Sequence, residues 1–211
     1  MNGSNGTSAT EQLYARLAPI YDFIYGATLQ PGRARAMARL AAQAGERILE
    51  IGVGTGVALR GYPAGTRVAA VDLSAPMLHR AQARLRRHRI RHVALCRMDA
   101  THLAFADGSF DAVYAPYVVN VVADPVRVAH EMMRVCRPGG RLVLVNHFAR
   151  ADNAGNFVSE AIGELASKIS GVDWGLDLDW FLRESGLQPY SVESVNMLKS
   201  AIVLCRKPVH V

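Results

Sequence analysis

The 211-residue sequence holds only three cysteines, Cys96, Cys136 and Cys205, and none of them stands in a CxxC spacing. An odd, widely spaced set supplies neither a disulfide framework nor a zinc site, and it fits a reducing cytosol. No metal is expected. Long apolar runs are lacking as well: the longest, Ala112 to Val122, is interrupted by Pro116 and Asn120 and is too short to cross a bilayer. Any membrane contact is therefore expected to be peripheral. The opening residues lack the charged start and apolar stretch of a secretory signal, and their Gly, Ser, Asn and Thr content marks residues 1–10 as a flexible tail. No internal repeat or low-complexity linker divides the rest, so 11–211 is expected to be a single domain. Lysine is scarce, and the formal charge of +6 is carried almost entirely by arginine. That excess suits an anionic surface, either a membrane or a nucleic acid.

What is present is an alternation of short β-rich runs with longer helical patterns, the signature of parallel βαβ units. Strands are expected at Arg47 to Ile51, Val68 to Asp72, Val93 to Arg97, Asp111 to Ala115 and Arg141 to Asn146, with a closing pair at Pro189 to Val195 and Ala201 to Arg206. Helices are expected near Pro31 to Ala44, Ala75 to Arg87, Pro125 to Cys136, Asn153 to Ser170 and Asp177 to Ser185. Too few residues separate Gly56 from Val68 for a full helix, so the first crossover must be abbreviated.

The first strand runs into Glu50-Ile51-Gly52-Val53-Gly54-Thr55-Gly56. Glycine removes the Cβ, so the turn can be tight and the backbone can approach a ligand. In the dehydrogenase fingerprint G-x-G-x-x-G the third glycine would fall at position 57, which is Val57. The second strand ends in Asp72, followed by Leu73 and Ser74; an acid there can accept both hydroxyls of a ribose. Ser74 also has the character of a helix N-cap with Pro76 just inside. Met98-Asp99-Ala100, then Leu103 to Asp111, then Arg137-Pro138-Gly139-Gly140 complete a series of landmarks in order.

This series resembles the class I S-adenosylmethionine-dependent methyltransferases, over roughly Tyr14 to Arg206. The resemblance implies a Rossmann-like α/β fold: a seven-stranded, mostly parallel sheet with helices on both faces and an N-terminal amphipathic helix. It implies S-adenosylmethionine as cofactor, held by Glu50, Gly52, Gly54, Gly56, Asp72, Leu73 and Met77, with Asp99 and Ala100 towards the adenine, and with Ala115 and Tyr14. Transfer from a sulfonium depends mainly on positioning, so no Ser-His-Asp set is expected.

Three stretches, Tyr14 to Asp22, Pro116 to Val122 and Val145-Asn146-His147-Phe148, resemble the soluble bacterial phosphatidylethanolamine N-methyltransferases, which form phosphatidylcholine. The alternative is a quinone C-methyltransferase, which shares the first stretch loosely. An amine with a reference pKa of about 10.4 must shed its proton, at about 4 to 5 kcal/mol at pH 7. A nearby sulfonium lowers that pKa, and His147 is a candidate for taking the proton. Tyr21, Tyr25, Asn120 and Tyr117 are candidates for orienting the amine, and aromatic faces attract a cationic head group. Trp174 and Trp180 are further candidates for lining an acceptor pocket, or for packing. A nucleic-acid methyltransferase would be favoured by charge alone, but Ala115-Pro116-Tyr117 is not an Asn-Pro-Pro-Tyr motif, so no nucleic-acid partner is expected. A catalytically silent cofactor-binding module would be marked by a damaged glycine loop or a lost ribose acid, and both are intact here.

Between Glu11 and Thr28, Leu13, Leu17, Ile20 and Ile24 share one helical stripe, edged by Tyr14, Tyr21 and Tyr25. The segment 11–28 is expected to be a lid on the protein or a contact with an anionic membrane, with Arg16, Arg33 and Arg35 adding about 1 kcal/mol each on such a surface. The expected location is the cytoplasm, reversibly attached to the inner face of the membrane.

Overall fold

The computed structural model describes residues 29–148, 176–195 and 200–209. The chain divides into two compact units, Met1–Pro31 and Gly32–Val211, and only 29–31 of the first are described. The expected tail, the N-terminal stripe, Tyr14, Tyr21, Tyr25, Trp174 and the helix at Asn153 to Ser170 all lie outside the described residues.

Seven strands form the second unit's sheet: β1 (Arg47–Ile51), β2 (Arg67–Asp72), β3 (Val93–Arg97), β4 (Phe110–Pro116), β5 (Cys136–His147), β6 (Pro189–Val195) and β7 (Ser200–Arg206). Their order is β3-β2-β1-β4-β5-β7-β6, with β7 antiparallel to both its neighbours and the other pairings parallel. Residues 29–40 are helical, and α1 denotes 32–40. It is followed by α2 (Ala75–Arg87), α3 (Pro125–Val135) and α4 (Leu178–Ser185).

Apolar residues of both parities fill β1, β4 and β5 because both faces of these strands are covered. Ile48, Ala112, Tyr114, Val143 and Val145 meet Ala36 and Leu40 of α1 and Ala81 and Leu85 of α2. Leu49, Ile51, Val113, Ala115, Leu142 and Leu144 meet Val128, Ala129 and Met132 of α3 and Phe181 of α4. Side-chain caps start the helices: Asp124 accepts from Arg127 N at 2.8 Å, and Asp177 accepts from Trp180 N at 2.6 Å.

The first crossover is a single 3-10 turn, Ala58–Gly61, as its length requires. Two boundaries differ from expectation by more than two residues. The helix expected to reach Ala44 ends at 40, where Ala41 turns to a φ of 48°. Strand β5 begins at Cys136 rather than Arg141, because the Pro-Gly-Gly segment stays in the ladder: Gly139 N donates to Lys207 O, and Lys207 N donates to Gly140 O.

The segment before β4 is pinned to α3 by charge. Buried Glu131 accepts from Leu103 N at 2.7 Å, while Arg134 donates to Glu131, to Leu103 O and to Phe105 O. The hydrogen bond from Arg134, followed by that from Leu103, holds the Glu131 carboxyl below its ordinary pKa. Because the folded state depresses that pKa, the stabilisation is present above the unfolded value and is lost as pH falls through the folded one. We expect Arg134→Ala to destabilise the fold by about 2 to 3 kcal/mol near neutral pH. Urea unfolding at a series of pH values checks this; the deficit should shrink as Glu131 protonates.

Candidate active site

The strand order reverses direction between β1 and β4, which opens a crevice at their carboxyl ends. The glycine loop forms one wall. Gly52, Gly54 and Gly56 have φ of 71°, 54° and 77°, a region that L side chains rarely enter. Each glycine has its own surroundings. A Cβ at Gly52 would come within 2.8 Å of Val118, and one at Gly56 within 2.8 Å of Leu59, whereas one at Gly54 meets nothing within 4 Å. Open space therefore borders the loop at Gly54.

Asp72, at the end of β2, faces this loop. Its Oδ2 accepts from Gly54 N at 2.7 Å and its Oδ1 from Ser74 N at 2.9 Å. Each oxygen keeps a lone pair for a further donor. Ser74 caps α2 by accepting from Met77 N at 3.4 Å. The next side chain, Leu73, is 62% exposed, an apolar surface beside the acid. Asp99, after β3, is exposed and accepts at Oδ1 from both the N–H and the hydroxyl of Thr101; these bonds hold its pKa down. Ala100 follows it, and Ala115 is buried in β4 on the same face as Ile51. An open glycine cradle, a ribose-directed acid and an exposed leucine fit an adenosyl cofactor.

Glu50 turns to the opposite face. It is buried, accepts from Tyr62 Oη at 2.7 Å, and sits in the field of Arg33. Burial pushes its carboxyl up to about 7, against the pull of Tyr62 and Arg33.

A second group gathers at the carboxyl ends of β4 and β5. Tyr117 follows β4 with a φ of 56°, its N–H donating to Val145 O at 2.7 Å. Its ring lies 5.2 Å from that of His147, centroid to centroid. Asn120 Nδ2 donates to His147 O at 2.7 Å, and Ser200 Oγ meets His147 Nδ1 at 2.9 Å. All of Asn120, His147 and Ser200 are buried, so His147 does not end its strand at the surface. The structure thus brings Tyr117, Asn120 and His147 together. Trp180 stands apart on α4, 39% exposed, and no described contact joins it to the group.

Two residues near these groups stand outside the candidate site residues expected from the sequence, where Asn146 appears only within the Val145 to Phe148 stretch and Arg33 only among the membrane-facing arginines. Asn146 is fully buried, with neither amide atom hydrogen-bonded. Its signal was its place two residues beyond Leu144 on the inward face of β5. Arg33, expected on an anionic surface, turns inward over the Tyr117 ring, with the guanidinium carbon 5.2 Å from the centroid. Its spacing of three from Ala36 and seven from Leu40, which puts all three on one helix face, was the available signal. Arg35 is also drawn from the role expected of it, since it pairs with Glu193 at 3.1 Å. Among the described residues, no group of three His, Cys, Asp or Glu side chains is placed to hold a metal.

Residues 49–144 match a family model described as a methyltransferase domain. The chain is 45% identical over 143 residues to a phosphatidylethanolamine N-methyltransferase of Cereibacter sphaeroides, covering 67% of this chain and 70% of that protein. It is 38% identical over 138 residues to a demethylmenaquinone methyltransferase of Renibacterium salmoninarum, covering 63% of this chain and 56% of that one. Among solved structures, geranyl diphosphate C-methyltransferase of Streptomyces coelicolor, in complex with S-adenosyl-L-homocysteine, superposes with a TM-score of 0.69 at 17% identity, covering 83% of this chain and 75% of that one.

The cofactor wall is testable by binding alone. Gly54→Val fills the open space and strains the backbone, and Asp72→Ala removes both the candidate ribose acceptor and the tie to the loop. We expect each to weaken S-adenosylmethionine binding by about tenfold or more, as for a lost hydrogen bond to a charged group. Calorimetric titration checks this, and unchanged affinity in both variants counts against the site.

Proposed function

Because the chain belongs to the S-adenosylmethionine-dependent methyltransferases, we propose that it is a phosphatidylethanolamine N-methyltransferase, working stepwise towards phosphatidylcholine. The observation that carries this reading is the 45% identity to such an enzyme across 70% of its length. The cofactor supplies an electrophilic methyl group on a sulfonium. This chain's residues have then to hold an amine in line with that methyl group and accept the proton the amine releases. The group at the ends of β4 and β5 suits both tasks. Asn120 is fixed against the His147 carbonyl, and the His147 ring is oriented by Ser200. His147 takes the proton, and Asn120 and Asn146 present polar atoms to the amine.

The second reading is a quinone C-methyltransferase, favoured by the 38% identity to a demethylmenaquinone methyltransferase. Expression in a host that normally lacks phosphatidylcholine separates the two. Mass spectrometry of its lipids should show monomethyl, dimethyl and trimethyl forms of phosphatidylethanolamine, and His147→Ala should lower all three. A change in quinone precursors alone favours the second reading.

We infer further that the enzyme meets its lipid by reversible, peripheral attachment to the inner face of the membrane. No helix among the described residues is long and apolar enough to cross a bilayer. The apolar stripe Leu13, Leu17, Ile20 and Ile24 supplies the contact, each side chain contributing about 1.5 to 3 kcal/mol if fully buried. Leu17→Asp combined with Ile24→Asp should reduce sedimentation with anionic vesicles, and added salt should weaken the parent's binding. Binding that survives both removes this segment as the contact.

A further inference from the structure

Arg33 carries its charge from α1 into the interior, where Nη1 is buried and makes no hydrogen bond. Desolvation lowers its pKa, and the neighbouring Tyr114, Tyr117 and Glu50 only partly offset that cost. The carboxyl best placed to balance it, Glu50, is bound to Tyr62 and, with a pKa of about 7, is only partly ionised at neutral pH. No carboxylate among the described residues forms an ion pair with Arg33, in contrast to Arg35 and Arg39, which both reach Glu193.

Beside this guanidinium stands a second spare donor. Tyr117 Oη is buried beside the Ser200 hydroxyl, which bears on its acidity, and makes no hydrogen bond of good geometry. Two backbone features allow this placement: the left-handed φ of 56° at Tyr117, and glycine at position 32, where a Cβ would collide with the phenol oxygen. A residue held in left-handed backbone is a cost that persists where the surroundings enforce it. A cation and a phenol, with Nη1 and Oη unpaired and no carboxylate hydrogen-bonded to either, are complementary to an oxyanion.

We propose that Arg33 and Tyr117 form an oxyanion subsite at the carboxyl ends of β1 and β4, with Nη1 and Oη donating to one anionic group of a bound ligand. Resting on the function proposed above, two oxyanions come to this crevice: the carboxylate of the cofactor's amino-acid end and the phosphodiester of the acceptor lipid. The shared chemistry is a singly charged oxygen pair offering acceptors to a fork of N–H donors and one hydroxyl.

The test uses the full chain with Arg33→Gln, Arg33→Lys and Tyr117→Phe, each first checked for parental thermal unfolding. Calorimetry measures S-adenosylmethionine and its decarboxylated analogue, which lacks the anionic group. It also measures glycerophosphoethanolamine in the presence of S-adenosylhomocysteine. If the carboxylate is held, Arg33→Gln weakens S-adenosylmethionine by about tenfold or more and leaves the decarboxylated analogue unchanged, with partial recovery in Arg33→Lys and a smaller loss in Tyr117→Phe. If the phosphodiester is held, both cofactors bind as to the parent, and the loss falls on glycerophosphoethanolamine. Equal losses for the two cofactors, or no loss for any of the three probes, overturn the proposal. Failure of the lipid function leaves the two cofactor titrations unaffected, so the two failures are told apart.

Discussion

One carboxylate holds the crevice together. Asp72 accepts the Gly54 N–H with one oxygen and the Ser74 N–H with the other, and its own carbonyl accepts from Met98 N at 3.1 Å. Three separate pieces of chain meet on this residue: the glycine loop after β1, the start of α2, and the segment after β3. The loop cannot adopt its left-handed glycines in isolation, because three positive-φ residues in five are entropically costly without a fixed acceptor. Asp72 supplies that acceptor and still keeps lone pairs towards the crevice, which couples the shape of the loop to the capacity to bind.

From there the sheet sorts functions by parity. Along β5, Leu142, Leu144 and Asn146 face α3 and α4, while Val143, Val145 and His147 face α1 and α2. Asn146 and His147 are consecutive yet open to different sides of the same strand end. Asn120 donates to the His147 carbonyl, which like the other strand carbonyls lies in the plane of the sheet between the two faces.

Much of this was legible in the residues. The strands β1, β3 and β6 and the helix α2 stand where alternation and helical spacing put them, since each is bounded by turn or capping residues whose chemistry is local, such as Ser74 and Pro76. The start of β5 was not legible, because Arg137-Pro138-Gly139-Gly140 has the composition of a turn and its pairing with Lys207 is a contact across 67 to 68 residues of sequence. The end of α1 at Ala41 carries no glycine to mark it. Arg33 was misjudged because charge was given priority over periodicity. Its face was set by Ala36 and Leu40, and the helix buried it together with them.

The two ends of the sheet are treated differently, and the difference follows from what each end must do. At the amino ends of β1, β4 and β5, polar groups are paired: Asp111 accepts from Arg47 N and Arg137, and Arg141 binds both Glu46 and the Leu40 carbonyl. Burial of a polar group without a partner costs about 1 to 3 kcal/mol, and there the cost is avoided. At the carboxyl ends, Asn146, Arg33 Nη1 and Tyr117 Oη leave that cost in place. His92 Nε2, just before β3, is the exception at the other end. A fold selected for stability alone would have no reason to keep the unpaired groups on one side. A fold that binds charged and polar ligands does, because the same atoms become satisfied when the ligand arrives, and the unfavourable burial in the free protein turns into selectivity for ligands that carry the matching groups.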